Sequence, residues 1–236
     1  MAKLGGKMDG ATILRSPSSS VGNYLKAIRE SAEEGAASTK DVAARLSVSQ
    51  ASVTHRVGRL QEMGLVEYER YHGASLTEEG LSEALRLVRR HRLIETFLLD
   101  QLGYSWEEVH EEAEKLEHAV SDRFTERLAD LLGHPDHDPH GDPIPAVDGT
   151  LEPDGSFPLP AAAAGDRVLI ARVGDETTGL LTYLGERGLV PGCLLTVQEV
   201  RALDGVVTVA DEDGTAYSLG AALAGALYVR SAPRDE

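Results

Sequence analysis

The sequence offers little material for disulfides or thiolate sites. It contains one cysteine, Cys193, among 236 residues, which excludes an intramolecular disulfide and a metal site built from several thiolates. Any bound metal ion must therefore be held by nitrogen and oxygen atoms. Aromatic residues make up only 5% of the chain, so its cores must be built mainly from Leu, Val and Ala.

Long apolar runs are also absent. No segment approaches the ~20 residues that a membrane-spanning helix needs. The first residues are rich in Gly and Ser and lack the apolar stretch of a secretion signal. We therefore expect a cytoplasmic protein with no membrane partner, and we interpret residues 1–19 as a flexible tail.

Basic residues are in the minority, and the net charge is −16. The excess acid lies in residues 81–236, which hold 13 basic and 29 acidic side chains, whereas residues 1–80 hold ten of each. A nucleic-acid contact is therefore compatible with residues 1–80, where it would use local positive patches.

The periodicity of residues 20–80 predicts three helices followed by two short strands: Ser20–Ser31, Lys40–Leu46, Gln50–Met63, Leu65–Arg70 and Ala74–Leu76. Ser38 or Thr39 can cap the second helix, and Ser49 the third. This order is that of a helix–turn–helix followed by a wing.

The third helix has two distinct faces. Val53, Val57 and Leu60 form an apolar stripe, which leaves the polar residues of the N-terminal half facing outward. A recognition helix enters the major groove of double-stranded DNA with that half. The residues expected to contact bases or phosphates are Lys40, Ser49, Gln50, Ala51, Ser52, Thr54, His55, Arg56, Arg59 and, in the wing, His72.

Two longer helices are predicted next, from Glu78 to as far as Leu102 and from Trp106 to about Leu132. Imidazoles and carboxylates recur on them at helical spacing. On the second helix they fall within about a 100° arc, and on the first they are four residues apart. Carboxylates and imidazoles that face the same way repel or desolvate one another unless a cation joins them, so this pattern favours a bound metal ion. The candidates are His91, Glu95, His110, Glu114, Glu117 and His118.

Other interpretations of these helices stay open. An acidic helix with incidental histidines is one, and a metal-dependent hydrolase is another. The residue four after His110 is Glu114, so the H-E-x-x-H pattern is missing, and we expect no enzymatic activity. A winged-helix regulator of a non-metal ligand and a metal carrier without DNA are further alternatives.

The remainder of the chain changes in character. Residues 133–161 are rich in Pro, Gly, Asp and His and are interpreted as a linker. Within it, GHPDHDPHGD holds three His and three Asp and could bind metal loosely, but we expect it to be a solvated loop. From Gly165, β-branched runs predict a small barrel with one helix, at Arg167–Val173, Thr178–Arg187, Cys193–Val200, Val206–Ala210 and Ala226–Val229.

Several segments resemble the diphtheria toxin repressor family of iron- and manganese-dependent regulators: DVAARLSVSQASVTHRVGRL, GLVEYERYHGASLTEEG, RRHRLIETFLLDQLG, VHEEAEKLEHAVSD, HGDPIP and TYLGERGLVPG. The resemblance implies a mainly α fold with a small β part. Its domains would be a winged helix-turn-helix (20–80), a helical metal-binding and dimerisation domain (81–145), a linker (146–164) and an SH3-like β-barrel (165–232).

The resemblance also implies a function. Such a protein would be a homodimer that binds palindromic operators when loaded with metal, and would control metal-homeostasis genes, usually by repressing uptake. One metal site would use His91, Glu95 and His110, completed by Glu176 from the barrel. A second, separate site would use Glu114, Glu117 and His118, with Asn23 from the first helix.

The family resemblance also favours manganese as the activating metal ion. Glu114 stands where iron-responsive members have a cysteine, and an all-nitrogen-and-oxygen site suits Mn²⁺. Asn23 stands where manganese-responsive members have Asp and iron-responsive ones Met, and Lys26 replaces a further acidic position. We therefore expect Mn²⁺, with Fe²⁺ as the alternative, in two separated sites.

Overall fold

The structure, a computed structural model, describes residues 19–33, 35–152, 154–174 and 177–232. It consists of two compact units, Met1–Thr77 and Glu78–Glu236. Apart from Ser19, the tail expected at residues 1–19 lies outside the described residues. No helix in the described part of the chain is both long and apolar enough to cross a lipid bilayer.

In its described residues, the first unit combines three helices with a small antiparallel sheet. The helices are α1 (Ser19–Ser31), α2 (Thr39–Arg45) and α3 (Gln50–Glu62). The strands are β1 (Ala32–Glu33), β2 (Ala36–Ala37), β3 (Val66–Glu69) and β4 (Gly73–Leu76), in the order β1-β2-β4-β3. This is the winged helix-turn-helix that the sequence predicts, with β1 and β2 added to the wing.

Local sequence accounts for the boundaries of α2 and α3. The hydroxyls of Ser38 and Ser49 each accept the backbone N–H three residues later, at 3.1 Å, which satisfies a donor that the helix itself leaves unpaired. Val53, Val57 and Leu60 are fully buried, as their spacing predicts.

Gly73 lets the wing pack against β2. Its φ is +106°, and a Cβ added there would lie 2.5 Å from the carbonyl oxygen of Ala37. A side chain at this position would therefore separate β4 from β2. The tip of the wing also has a positive φ at Tyr71, a residue that is almost entirely exposed.

The second unit begins with three helices, α4 (Glu78–Leu102), α5 (Val109–Leu116) and α6 (Asp122–Leu132). The sequence predicts one helix from Trp106 to Leu132, and this prediction is wrong. Ser121 adopts an extended conformation, and its hydroxyl accepts the N–H of Phe124. A new helix thus starts at Asp122, and residues 117–121 form a turn. Leu93, Ile94 and Leu98 of α4 pack with apolar residues of α5 and α6.

The rest of the second unit is a six-stranded antiparallel barrel-like sheet in the order β5-β10-β6-β7-β8-β9. Its elements are β5 (Phe157–Pro158), β6 (Arg167–Val173), α7 (Thr178–Gly185), β7 (Leu194–Val200), β8 (Val207–Ala210), β9 (Ala216–Leu219), α8 (Ala221–Ala226) and β10 (Leu227–Ser231). The sequence analysis missed β5, β9 and α8, which are short and are defined by pairing or packing with other elements. Leu159, from the segment interpreted as a linker, belongs to the core of this sheet.

Candidate metal centre and DNA-binding surface

Helix α4 contributes a histidine and a glutamate to a cluster of potential metal ligands in the second unit. His91 and Glu95 are one helical turn apart, and their side chains are 7% and 1% exposed. His91 Nε2 lies 2.9 Å from Glu95 Oε1, and its Nδ1 lies 2.6 Å from Glu117 Oε2. Both imidazole nitrogens of His91 thus face a carboxylate.

Helix α5 and the turn after it approach the same place. His110 Nδ1 lies 3.0 Å from Glu95 Oε1 and 3.2 Å from His91 Nε2. Potential ligand atoms of His91, His110 and Glu114 all lie within 4.8 Å of one another. Beyond the end of α5, His118 Nε2 lies 3.3 Å from Glu117 Oε1.

A second group of potential ligands shares Glu95. Ligand atoms of Glu95, Asp138 and His140 also lie within 4.8 Å of one another, and all three residues are buried. Asp138 Oδ1 accepts the backbone N–H groups of His140 and Asp142, which shapes the loop. His140 Nδ1 lies 3.9 Å from Glu95 Oε1.

The protonation of His140 follows from its hydrogen bond. Its Nε2 lies 3.0 Å from the carbonyl oxygen of Trp106, which can only accept, so Nε2 carries the proton. In the neutral ring, Nδ1 then presents a lone pair. This atom and Glu95 Oε2 are both buried and have no hydrogen bond within the described residues. Buried acceptors without a donor are satisfied by a bound water molecule or by a cation, and a divalent metal ion that both atoms coordinate would meet this requirement.

The pKa of Glu95 is shifted by its surroundings. Burial raises its pKa, but the charge of His91 and the hydrogen bonds from His110 and His91 outweigh burial. Its pKa therefore lies well below the ordinary value, and the carboxylate is ionised. An ionised carboxylate surrounded by imidazoles is an arrangement that metal sites use.

The prediction of a solvated loop at GHPDHDPHGD is wrong for its central part, because Asp138 and His140 are buried. Arg92 of α4 lies 3.2 Å from Asp138 Oδ2 and also donates to the Pro143 carbonyl. On the barrel side, the N–H of Val173 donates to the His140 carbonyl at 2.9 Å. The loop is therefore fixed to both parts of the second unit, and contacts distant in sequence decide its burial.

Gly141 allows the loop to approach β6. Its φ is +88°, and a Cβ added there would overlap the carbonyl oxygen of Ala171. Trp106 completes the attachment: its indole N–H donates to the Pro139 carbonyl at 2.8 Å, and its ring packs against the barrel core.

Six of the eight residues predicted as metal ligands thus lie in one connected cluster: His91, Glu95, His110, Glu114, Glu117 and His118. His91 of one predicted set contacts Glu117 of the other. Asn23 belongs to α1 of the first unit, where its Oδ1 is buried without a hydrogen bond from any described residue. Glu176 lies outside the described residues.

Asp138 and His140 are not among the predicted ligands, although the sequence left open that their segment, GHPDHDPHGD, binds metal loosely. The available signal was the segment HGDPIP, which carries the family resemblance and follows directly on Asp138 and Pro139. A stretch so rich in Pro, Gly and Asp gives no sequence signal that the segment is buried.

In the first unit, nine of the ten predicted DNA contacts are exposed: Lys40, Ser49, Gln50, Ala51, Ser52, Thr54, His55, Arg59 and His72. Arg56 is half-buried, with its guanidinium over the Tyr24 ring. The Thr54 hydroxyl donates to the Gln50 carbonyl at 3.0 Å, so its methyl group is the part most available for contact with a base. The hydroxyls of Ser49 and Ser52 contact each other at 2.8 Å.

A winged helix with an exposed polar recognition face, followed by a helical unit with a buried cluster of imidazoles and carboxylates, defines a DNA-binding regulator of the metal-binding class. The comparisons with known proteins agree. Residues 18–74 match the family "Iron dependent repressor, N-terminal DNA binding domain" and residues 77–146 match "Iron dependent repressor, metal binding and dimerisation domain". Residues 157–231 match the FeoA domain.

Individual relatives give the same result. The iron-dependent repressor IdeR of Mycobacterium tuberculosis (strain ATCC 25618 / H37Rv) is 32% identical over 191 residues, covering 74% of this chain and 82% of the relative. The diphtheria toxin repressor of Corynebacterium glutamicum is 36% identical over 169 residues, covering 69% of this chain and 70% of the relative. The chain belongs to the diphtheria toxin repressor family of metal-dependent, DNA-binding transcriptional regulators.

Solved structures extend the similarity over the barrel. A manganese-dependent transcriptional repressor in complex with manganese is 40% identical, with a TM-score of 0.84, covering 90% of this chain and all of that one. ScaR with bound Zn²⁺ is 34% identical, with a TM-score of 0.79, covering 90% of this chain and 99% of that one.

Proposed function

We propose that this chain is a manganese-activated repressor of metal-homeostasis genes, with Fe²⁺ as the alternative activator. The observation that carries the proposal is the buried cluster around Glu95, in which every potential ligand atom is nitrogen or oxygen. Carboxylate and imidazole ligands suit Mn²⁺, whereas a thiolate would favour softer ions. The similarity to a manganese-dependent repressor supports the same choice.

We assign the ligands to two sets. The inner set is Glu95, Asp138 and His140, the three residues whose ligand atoms group together in the interior. The outer set is Glu114, Glu117 and His118, on α5 and the turn that follows it. His91 and His110 lie between the sets and contact Glu95. Asn23 as a ligand of the outer set, and Glu176 as a ligand that completes the site of His91, Glu95 and His110, stay predictions.

We further propose that two chains associate through α6 and bind a palindromic operator. Phe124 and Leu131 are large apolar residues of this helix that stay 47% and 63% exposed, and α6 lies in residues 77–146, which match a metal binding and dimerisation domain. A two-fold dimer would present two α3 helices to successive major grooves, about 34 Å apart.

Metal control follows from linkage. If metal binds the DNA-competent arrangement of the dimer more tightly than other arrangements, metal strengthens DNA binding and DNA strengthens metal binding equally. We take the chain to act by such binding rather than by catalysis, because the buried inner set offers a substrate little access. As its partner is DNA, we place its action in the cytoplasm.

The test begins with selection of genomic fragments bound by the purified protein in Mn²⁺, in Fe²⁺ under anaerobic conditions, and in chelator. Binding of a recovered fragment is then titrated by fluorescence anisotropy at fixed salt. Manganese should tighten binding at least tenfold over chelator, a factor that corresponds to about 1.4 kcal/mol. Equal affinity in both conditions would refute metal activation.

Variants of the outer set test the ligand assignment. His118→Ala should abolish the manganese effect on DNA binding while the dimer stays folded. Glu126→Ala is the matched control, because Glu126 pairs with Arg89 and is partly exposed. An unchanged manganese titration in His118→Ala would exclude it as a ligand.

A further inference from the structure

Arg90 is a buried arginine of α4 whose guanidinium reaches the turn between α5 and α6. One terminal nitrogen donates to the backbone carbonyl of Glu117 at 2.9 Å, and the other donates to Asp122 Oδ1 at 2.7 Å. Its side chain is 7% exposed, whereas that of Asp122 is 59% exposed. The buried half of this interaction is therefore the bond to the Glu117 backbone.

This bond occupies the acceptor that a continuous helix would use. In an α-helix, the carbonyl of residue 117 would accept the N–H of residue 121. Here Arg90 takes that carbonyl, and Ser121 turns to an extended conformation and caps α6. The turn that carries Glu117 and His118 thus exists in a form that Arg90 stabilises from α4.

Two successive residues of α4 hold the same glutamate. Arg90 binds its backbone carbonyl, while Nδ1 of His91 lies 2.6 Å from its Oε2. Glu117 Oε1 is then directed to His118 Nε2, at 3.3 Å. Both the main chain and the side chain of Glu117 are fixed, although the residue lies beyond the end of α5.

We propose that Arg90 is a positioning residue for the metal site: it holds the turn so that Glu117 and His118 present their ligand atoms together with Glu114. This role rests on the proposed function of the outer set. Residues that orient metal ligands without touching the metal commonly change metal affinity by about 10- to 100-fold when they are replaced.

The sign of the effect separates positioning from simple electrostatics. A guanidinium near a divalent cation repels it, so loss of the charge alone would tighten manganese binding. Loss of the positioning bond would weaken it. Arg90→Gln therefore gives opposite results under the two explanations.

The experiment titrates full-length protein with MnCl₂ by calorimetry, and Mn²⁺ electron paramagnetic resonance counts the bound ions. Arg90→Gln should weaken one binding event about 10- to 100-fold and leave the inner event near the wild-type value. Arg90→Lys keeps the charge and can reach one acceptor. Its manganese affinity should lie between those of the wild type and of Arg90→Gln. Melting temperatures in chelator report folding separately.

Two controls localise the effect. Asp122→Asn removes the exposed partner but leaves the bond to the Glu117 carbonyl, and should bind manganese almost as the wild type does. Arg89→Gln makes the same substitution at the neighbouring arginine, which instead contacts Glu126 and the Pro145 carbonyl.

Manganese affinity that is unchanged or higher in Arg90→Gln overturns the proposal. If Arg90→Gln does not fold, the manganese affinities of Arg90→Lys and Asp122→Asn are compared instead. Equal affinities in these two variants overturn the proposal. A wild-type protein that binds no manganese refutes the proposed function itself, a result distinct from the other two.

Discussion

The replacement Glu95→Gln tests the centre of the cluster with almost no change in volume. Glu95 is fully buried, and its carboxylate contacts His91 and His110. In the metal-free protein, neutralising residue 95 has two opposite effects on stability. It relieves repulsion among the neighbouring carboxylates, but it removes the negative partner of the His91 and His110 imidazoles. Since the pKa of Glu95 lies below its ordinary value, attraction is the larger effect, and the metal-free variant should be less stable.

The size of the change can be estimated. Removal of one partner from a buried ion pair costs about 3–5 kcal/mol, which lowers the melting temperature in chelator. For the wild type, manganese at 100 times its Kd should add about 2.7 kcal/mol. The second unit, Glu78–Glu236, has a size at which 1 kcal/mol shifts the melting temperature by about 2–4 °C. The expected rise is therefore roughly 5–11 °C for the wild type, and Glu95→Gln should lose most of it.

The assay is thermal unfolding, followed by circular dichroism, in chelator and in a series of MnCl₂ concentrations. Glu126→Gln serves as the matched control: it also removes one negative charge, from a partly exposed ion pair worth about 0–1 kcal/mol. It should keep the full manganese response. If manganese raises the melting temperature of Glu95→Gln as much as that of the wild type, Glu95 is not part of the metal site.

Three further substitutions examine other parts of the molecule. Arg59→Ala should weaken binding of all DNA sequences about equally and lower the slope of log K against log salt by about 1, measured by anisotropy; a loss confined to one sequence would assign Arg59 to base contact instead. Gly141→Ala places a Cβ on the Ala171 carbonyl and should detach the loop from β6, so that limited proteolysis cuts near residue 141; unchanged resistance would show that the loop can shift without detaching. Leu131→Asp, at an exposed position of α6, should shift the sedimentation coefficient from that of a dimer towards that of a monomer, and an unchanged dimer would place the interface elsewhere.

Much of the first unit could be predicted from local sequence. The caps at Ser38 and Ser49 and the stripe of Val53, Val57 and Leu60 are short-range signals, and the structure realises them as expected. Helix α4 also matches its predicted extent, Glu78–Leu102. Periodicity suffices in these cases because capping bonds and one-sided burial act between residues only a few positions apart.

The candidate site was predictable only in part. The spacing of His91 and Glu95, and of His110 and Glu114, places each pair on one helix face, which the sequence reveals directly. The break after α5 was not visible, because the side chain that stabilises it, Arg90, comes from a helix 27 residues earlier. Ser121 supplies a local cap for α6, but the bond from Arg90 to the Glu117 carbonyl depends on packing against α4.

The sequence by itself indicated the class of chemistry available to this protein: a single cysteine excludes a site of several thiolates, and imidazoles and carboxylates at helical spacing indicate where most of the candidate ligands lie. Only the tertiary structure decided that Asp138 and His140 join Glu95 in the interior. Their loop has no periodic pattern, and its burial depends on Arg92, Trp106 and β6, residues that approach it only when the helices and the barrel have assembled.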